Sequence, residues 1–338
     1  LTNSTTASNN VAVGATALGA NTTGTDNTAT GANALDSNTT GNYNSAFGTH
    51  TLGANTGGVR NTALGRGSLA SNTTGSYNVG IGYAALSNQT TSTSNTAVGD
   101  YAARLMTTGI DNTAVGRYAL YNNTTGYFNT AVGVSSLAST STGNSNTAVG
   151  RYALYSNTTS SNNTAVGQAA LTDNTGGDNT AVGYNALASN TTASNNTAVG
   201  KDALSLNTTG TNNVAVGSTA LDACTTGVNN VGIGYRALST TQTGIDNVAV
   251  GTQALYDATS ANYCTAVGGG ALGNNTTADS NTALGYVALV QNTTGNSNVA
   301  VGSFSLDANT TANNSVAVGF SALTSNTTGS RNVTVGSM

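Results

Sequence analysis

The chain has a 17-residue period, and no other feature limits so strongly what it can fold into. The phrase Asn-Thr-Ala-Val-Gly recurs along the whole sequence. Its glycine falls at Gly14, Gly31, Gly48, Gly65, Gly82, Gly99, Gly116, Gly133, Gly150 and Gly167, and then at ten further sites from Gly183 to Gly336. Eighteen of the nineteen intervals match that period, and the one from Gly167 to Gly183 is shorter by one. A typical unit reads N-T-A-V-G-x-x-A-L-x-x-N-T-T-G-x-x, with positions numbered one to seventeen. Position one is Asn except at Cys264 and Ser315, position five is always Gly, and position nine is Leu in every unit but the one with Ala103.

The variable residues obey the same frame. All charged residues and all 14 tyrosines fall at positions six, seven, ten, eleven, sixteen or seventeen. Charged side chains are rarely buried unpaired, so these six positions are the solvated edges of each unit and the other eleven are its frame.

A 17-residue unit is too short for a helical-pair repeat. Its Val, Thr and Gly content favours strand and disfavours helix. No Asn-Gly or Asp-Gly pair occurs, which removes the strongest signal for two-residue hairpins. The expected fold is all-β: a parallel β-solenoid, or β-roll, of twenty 17-residue coils, one continuous array over residues 1–338. Stacked about 4.8 Å apart, the coils would make a rod of about 95 Å. Each coil is expected to hold two strands, one near positions one to four and one near eight to fourteen. The glycines from Gly14 to Gly167 named above are expected to be structural turns that need φ > 0 or lack room for a Cβ. Val115, Leu120, Val149, Leu154, Val166 and Leu171 are the expected core. Asn112, Asn129, Asn146 and Asn163 are expected to stack as an amide ladder, with position twelve forming a second.

Strand one does not alternate apolar with polar. Positions two and four are mostly Thr or Val and then Val, with position four apolar except at Thr30, and position three is small. A half-exposed strand should alternate. Both faces therefore read as packed, one on the interior and one on another chain. One Val and one Leu per coil is also little apolar burial for so long an ordered stretch, so ladders and association must contribute. The expected assembly is a homotrimer, extending to a filament.

The Asn112–Gly116, Asn146–Gly150 and Ser315-Val316-Ala317-Val318-Gly319 segments resemble the S-V-A-I-G-like unit of trimeric autotransporter adhesin heads. The usual head repeat is shorter than the unit seen here, so these would be enlarged coils. The resemblance implies a left-handed parallel β-roll, trimerisation and an adhesive or spacer role at a cell surface. Similar arrays resemble phage tail-fibre shafts. The family's anchor barrel and coiled-coil stalk have no counterpart here, so membrane anchoring is not carried over. The chain starts at position nine of one unit and stops at position seven of another, with no polar cap, which reads as a segment of a longer protein.

Composition narrows the function. Charged residues are 6% of the chain, with no Glu and a net charge of −4. Its one Lys and seven Arg are scattered, without the clustered basic footprint of a nucleic-acid binder. No apolar run is long enough to span a bilayer, and no signal peptide is visible at Leu1-Thr2-Asn3. No cofactor, metal or catalytic residue is expected. His50 is alone on an edge, paired Glu/His motifs are absent, and the Asp residues do not recur from coil to coil. Cys224 and Cys264 lie in coils three apart, about 14 Å, beyond disulfide reach. The Asn-Thr-Thr sequons are read as ladder and turn residues.

The remaining candidates are edge tyrosines: Tyr83, Tyr184, Tyr235 and Tyr286 at position six, and Tyr101, Tyr118 and Tyr152 at position seven. They are expected to pack against neighbouring edges; the alternative is contact with a glycan or a host or neighbouring cell surface. The leading function is an extracellular structural or adhesive fibre, at a cell or virion surface, in which multivalent edges give avidity. Alternatives are a phage tail-fibre shaft and an ice-binding solenoid that would use the paired Thr. An enzyme on a β-helix would need a carboxylate or basic cluster in one cleft.

Overall fold

The structure, a computed structural model, describes residue 3 and residues 5–337. Leu1, Thr2, Ser4 and Met338, on which the leader and chain-end readings partly rest, lie outside the described residues. The chain divides into two compact units, Leu1–Gln168 and Ala169–Met338. The boundary falls in the one shortened coil.

Each unit is a parallel β-solenoid. The first holds ten three-residue strands, β1 (Val11–Val13) to β10 (Thr164–Val166), and the second ten more, β11 (Thr180–Val182) to β20 (Val333–Val335). Within a unit each strand pairs in parallel with the next, in strict register one repeat apart, as Thr113↔Thr130, Ala114↔Ala131 and Val115↔Val132. No helix among the described residues is long and apolar enough to cross a membrane.

Only positions two to four are strand. The second strand expected over positions eight to fourteen is not formed, and backbone dihedrals explain why. Position nine is left-handed even though it is Leu, as at Leu120 (φ 49°), and position seven is left-handed at Tyr118 (φ 59°). Two left-handed residues so close together curl the chain instead of extending it. Position seventeen is also left-handed, as at Phe128 (φ 57°). The curled segment still bonds coil to coil. Tyr118 N–H donates to Asp100 O (3.1 Å) in one neighbour and Leu120 N–H to Ser136 O (3.0 Å) in the other. At positions thirteen and fourteen two N–H groups share one acceptor, as Thr124 and Thr125 do at Ser141 O (2.9 and 3.2 Å).

Six positions per coil point inward: one, three, eight, nine, twelve and fifteen. Leu120, Leu154 and Leu171 are fully buried, as are Ala114, Ala148 and Ala165. The valines expected in the core are not there. Val149 and Val166 are 36% and 37% exposed, and Val115 is half-buried on the same outer face. Side chains alternate along a strand, so an inward position three puts two and four outside. The interior leaves room for Ala opposite Leu and little more. At Gly232, a position-three site, a Cβ would already lie 3.2 Å from Leu221 carbons.

The opposite interior wall is polar. Asn129 Oδ1 accepts from the N–H (3.0 Å) and Nδ2 (3.1 Å) of Asn146, while Asn129 Nδ2 donates to Asn112 Oδ1 (3.2 Å) and Gly143 O (2.8 Å). Asn163 continues the row onto Asn146 Oδ1, 3.0 Å from its N–H. The ladder thus pairs with backbone as well as amides. Position twelve repeats the device with Asn38, Asn55 and Asn72, all buried.

The glycines from Gly14 to Gly167 all have φ between 117° and 139°. At Gly116 (φ 134°) a Cβ would also sit 2.5 Å from Gly133 O, so dihedral and space both demand glycine. Position fifteen differs, because Gly126 has no positive φ but a Cβ there would overlap Asn123 Oδ1 and Gly143 O.

Candidate functional site

The turn at position five swings the chain off the sheet, and the left-handed residues at seven and nine fold it back. Positions eight and nine enter the core, which leaves six, seven, ten and eleven on one outer edge. This edge carries the side chains of greatest chemical variety, and shallow clefts occur along it. Two of them form where a coil has small residues at seven and ten between bulkier neighbours, at Gly67 and Ala70 beside Tyr83, and at Gly270 and Gly273 beside Tyr256.

The candidate tyrosines separate into two groups. Tyr83, Tyr101 and Tyr118 form one continuous cluster. Tyr101 meets Tyr83 edge-on at 5.1 Å and stacks on Tyr118 at 5.4 Å with planes 2° apart. Desolvation in this cluster, then the adjacent Tyr83, pushes the Tyr101 hydroxyl above its ordinary value. Tyr152 packs edge-on against Tyr155 at 5.5 Å. Tyr286 meets Phe304 at 5.7 Å, and Phe304 meets Phe320 at 5.9 Å. Tyr184 and Tyr235 have no ring partner among the described residues, the latter lying beside the Arg236 guanidinium (5.7 Å), and like Tyr83 and Tyr286 they are exposed. Packing on neighbours and exposure to solvent therefore coexist.

Further partners of these rings are not among the residues singled out by the repeat pattern. Position-ten tyrosines, Tyr121 and Tyr155, turn onto position seven of their own coil. Arginines cap the rings: Arg117 lies 4.7 Å from the Tyr118 centroid, Arg151 4.6 Å from Tyr152 and Arg104 5.1 Å from Tyr101. The three-residue spacing between seven and ten was the available signal, once both positions were placed on one edge.

Other candidates have local partners. His50 Nδ1 lies 3.3 Å from Asn33 Nδ2. Asp222 accepts from Ser239 Oγ (2.6 Å), and Asp246 from Asn229 Nδ2 (3.0 Å). Lys201 pairs with Asp202 at 3.5 Å. Among the described residues no three His, Cys, Asp or Glu side chains come together as a metal site. Both cysteines are free and buried, and burial pushes each thiol up to about 11.

Threonines follow a separate logic. The position-thirteen hydroxyl donates to a carbonyl of the next coil, as Thr124 Oγ1 does to Ser141 O (3.1 Å) and Thr208 Oγ1 to Thr225 O (3.0 Å). The position-fourteen threonine of each pair is exposed, while the position-thirteen one is half-buried in most coils and exposed at Thr5, Thr158, Thr191 and Thr327.

Comparison with known proteins finds no family model that matches the chain and no curated protein of significant similarity.

Proposed function

We propose that this chain is a non-catalytic structural and adhesive fibre segment, displayed outside the cell or on a virion, that associates as a homotrimer. One observation carries the reading. The Ala, Leu and Asn columns close each unit's interior, yet nearly every strand presents Thr or Val and then Val or another large apolar residue to the outside, β2 with Thr30 being the exception at position four. Exposed aliphatics recur on that face, including Leu64, Val149 and Val166 in the first unit and Val182, Ile233 and Leu284 in the second. A soluble monomer rarely leaves so regular an apolar surface uncovered. Copies of the same face covering one another would remove it from water, while the variable edge stays available for multivalent contact.

The resemblance to autotransporter heads supports the same assembly, and a phage tail-fibre shaft has the same physics. The ice-binding alternative is less well supported, because half of its paired hydroxyls are committed to the backbone; thermal hysteresis tests it directly. For the fibre, light scattering coupled to size exclusion is expected to give three times the chain mass of 33.1 kDa. Val149→Lys with Val166→Lys is expected to lower that mass without loss of secondary structure. A stable native monomer overturns the trimer.

A further inference from the structure

The pentapeptide Arg-Tyr-Ala-Leu-Tyr occurs twice, at residues 117–121 and 151–155, two coils apart. The two copies have the same geometry. Tyr118 meets Tyr121 at 5.4 Å and 79°, and Tyr152 meets Tyr155 at 5.5 Å and 82°. Arg117 Nη2 donates to the Tyr118 hydroxyl at 3.2 Å, and Arg151 Nη2 to Tyr152 at 3.3 Å.

At positions seven, ten and eleven the coil between them carries only small side chains, Ser135, Ala138 and Ser139. The result is a trough of about 300 Å³ with Tyr118 and Tyr121 on one side and Tyr155 on the other. Two coils span about 9.6 Å, so a ring held midway lies about 4.8 Å from each aromatic level, within the range at which rings make contact. The floor is polar. The Ser135 and Ser139 hydroxyls and the Asn122 amide, all half-buried, have no hydrogen-bond partner among the described residues. Residues 112–162 contain two Arg and no acidic residue, so the local charge is positive in a chain that is negative overall.

A flat, hydroxyl-bearing ring with negative charge fits all three features. We infer that this trough is a subsite for an acidic polysaccharide, holding a pyranose that carries a carboxylate or sulfate. One face of the ring packs towards Tyr121 and the other towards Tyr155, its hydroxyls bond Ser135, Ser139 and Asn122, and its anion faces Arg117 or Arg151. This deepens the adhesive part of the proposed function and rests on it only for the idea that a surface presents the ligand.

The test titrates the full chain with a tetramer of galacturonic acid, a heparin tetrasaccharide and neutral cellotetraose. Tyrosine emission is the signal, since the chain has no Trp. The acidic tetramers are expected to bind about tenfold or more tighter than the neutral one, with the margin shrinking as salt rises. Binding of the galacturonic tetramer assigns the carboxylate, and binding of the heparin tetrasaccharide alone, which carries both groups, assigns the sulfate.

Ser135→Tyr fills the trough with a residue that position seven already accepts at Tyr118 and Tyr152, so the coil still forms. It is expected to lower affinity by more than about tenfold, and Tyr155→Ala by about the same factor. Thr219→Tyr, at position seven of the second unit, is the control and leaves affinity unchanged. Absence of acidic-tetramer binding to the native chain overturns the proposal, as does native affinity in Ser135→Tyr. If fibres of Ser135→Tyr still adhere to a surface that native fibres bind, the trough is refuted and the adhesive reading stands. If native fibres adhere to nothing but the tetramers bind, the adhesive reading fails and the trough survives.

Discussion

Replacing Cys224 with Asn should stabilise the second unit. Asn207, one coil before Cys224, donates to Asn190 Oδ1 (2.8 Å) and Gly210 O (3.0 Å). Its own Oδ1 is buried and has no partner. In the regular ladder that oxygen accepts from the Asn of the following coil. Cys224 cannot serve, because its Sγ lies 3.9 Å from Gly227 O and makes no bond to Asn207. Thr241 and Ala258 occupy the next two rungs, so the ladder is open for three coils running, and Thr241 Oγ1 is likewise without a partner.

An Asn at 224 supplies one N–H to Asn207 Oδ1 and the other to Gly227 O. Its own oxygen can close on the Gly227 N–H. Asn123 already does this with Gly126 (3.0 Å), and it too precedes a threonine rung, Thr140. An unsatisfied buried acceptor costs about 1–3 kcal/mol, so a gain of about 1–2 kcal/mol is expected. In a unit of this size each kcal/mol moves Tm by about 2–4 °C. Circular dichroism on heating reads the shift. Hydrogen exchange at residues 207–227 localises it, since solenoid coils can open locally. Cys224→Asp has the same shape but lacks both donors and should destabilise. Equal Tm values for the Asn and Asp variants, or no gain for Asn over the native chain, would refute the ladder argument.

Four further outcomes follow from the same geometry. Leu120→Ala should cost about 2–5 kcal/mol in denaturant unfolding, whereas Val115→Thr on the outer face should cost the isolated chain less than about 1 kcal/mol. Gly116→Ala should cost about 1–3 kcal/mol from the backbone dihedral alone, with the overlap on Gly133 O adding to it, measured by the same unfolding. Cys224 and Cys264 should resist a thiol reagent at pH 8 in the native chain and react once it is unfolded. Their thiol values are raised from 9.0 to about 11 by folding. Their contribution to stability is therefore complete below about pH 9 and lost as pH rises towards 11, which alkaline melting curves would read.

The solenoid was legible because its signals are chemical. Gly at five marks a place where only that residue occurs, and Gly at fifteen, Asn at one and twelve and Leu at nine mark places where one chemistry is preferred. Parity within the strand was harder. Val is more apolar than Ala, so Val115 reads as core and Ala114 as filler, but the narrow interior takes the smaller residue and turns the larger one out. The missing second strand has a similar cause. Leu carries no signal for a left-handed backbone, so the curl at Leu120 is invisible in sequence. At position seventeen, by contrast, Asn and Asp residues such as Asn9, Asp26 and Asn195 betray the left-handed conformation. On the edge, single tyrosines were visible from the repeat. The troughs between them were not, because a trough depends on small residues in one coil and bulky ones in its neighbours.

Coils that offer each other the same donors and acceptors can be duplicated or lost whole, as beads on a string, without disturbing those on either side. Length in such a protein is therefore inherited in steps of one coil, about 4.8 Å each, while edge residues drift independently. The shortened coil shows where a finer step is tolerated. It lacks position fourteen, whose N–H elsewhere shares an acceptor that position thirteen already holds. With that residue gone, Thr175 N–H still reaches Thr191 O (2.6 Å) and Asn179 Nδ2 still reaches Ala193 O (2.9 Å). A lineage of such chains would thus vary in reach by counting coils and in taste by recolouring edges, two heritable dials that turn separately.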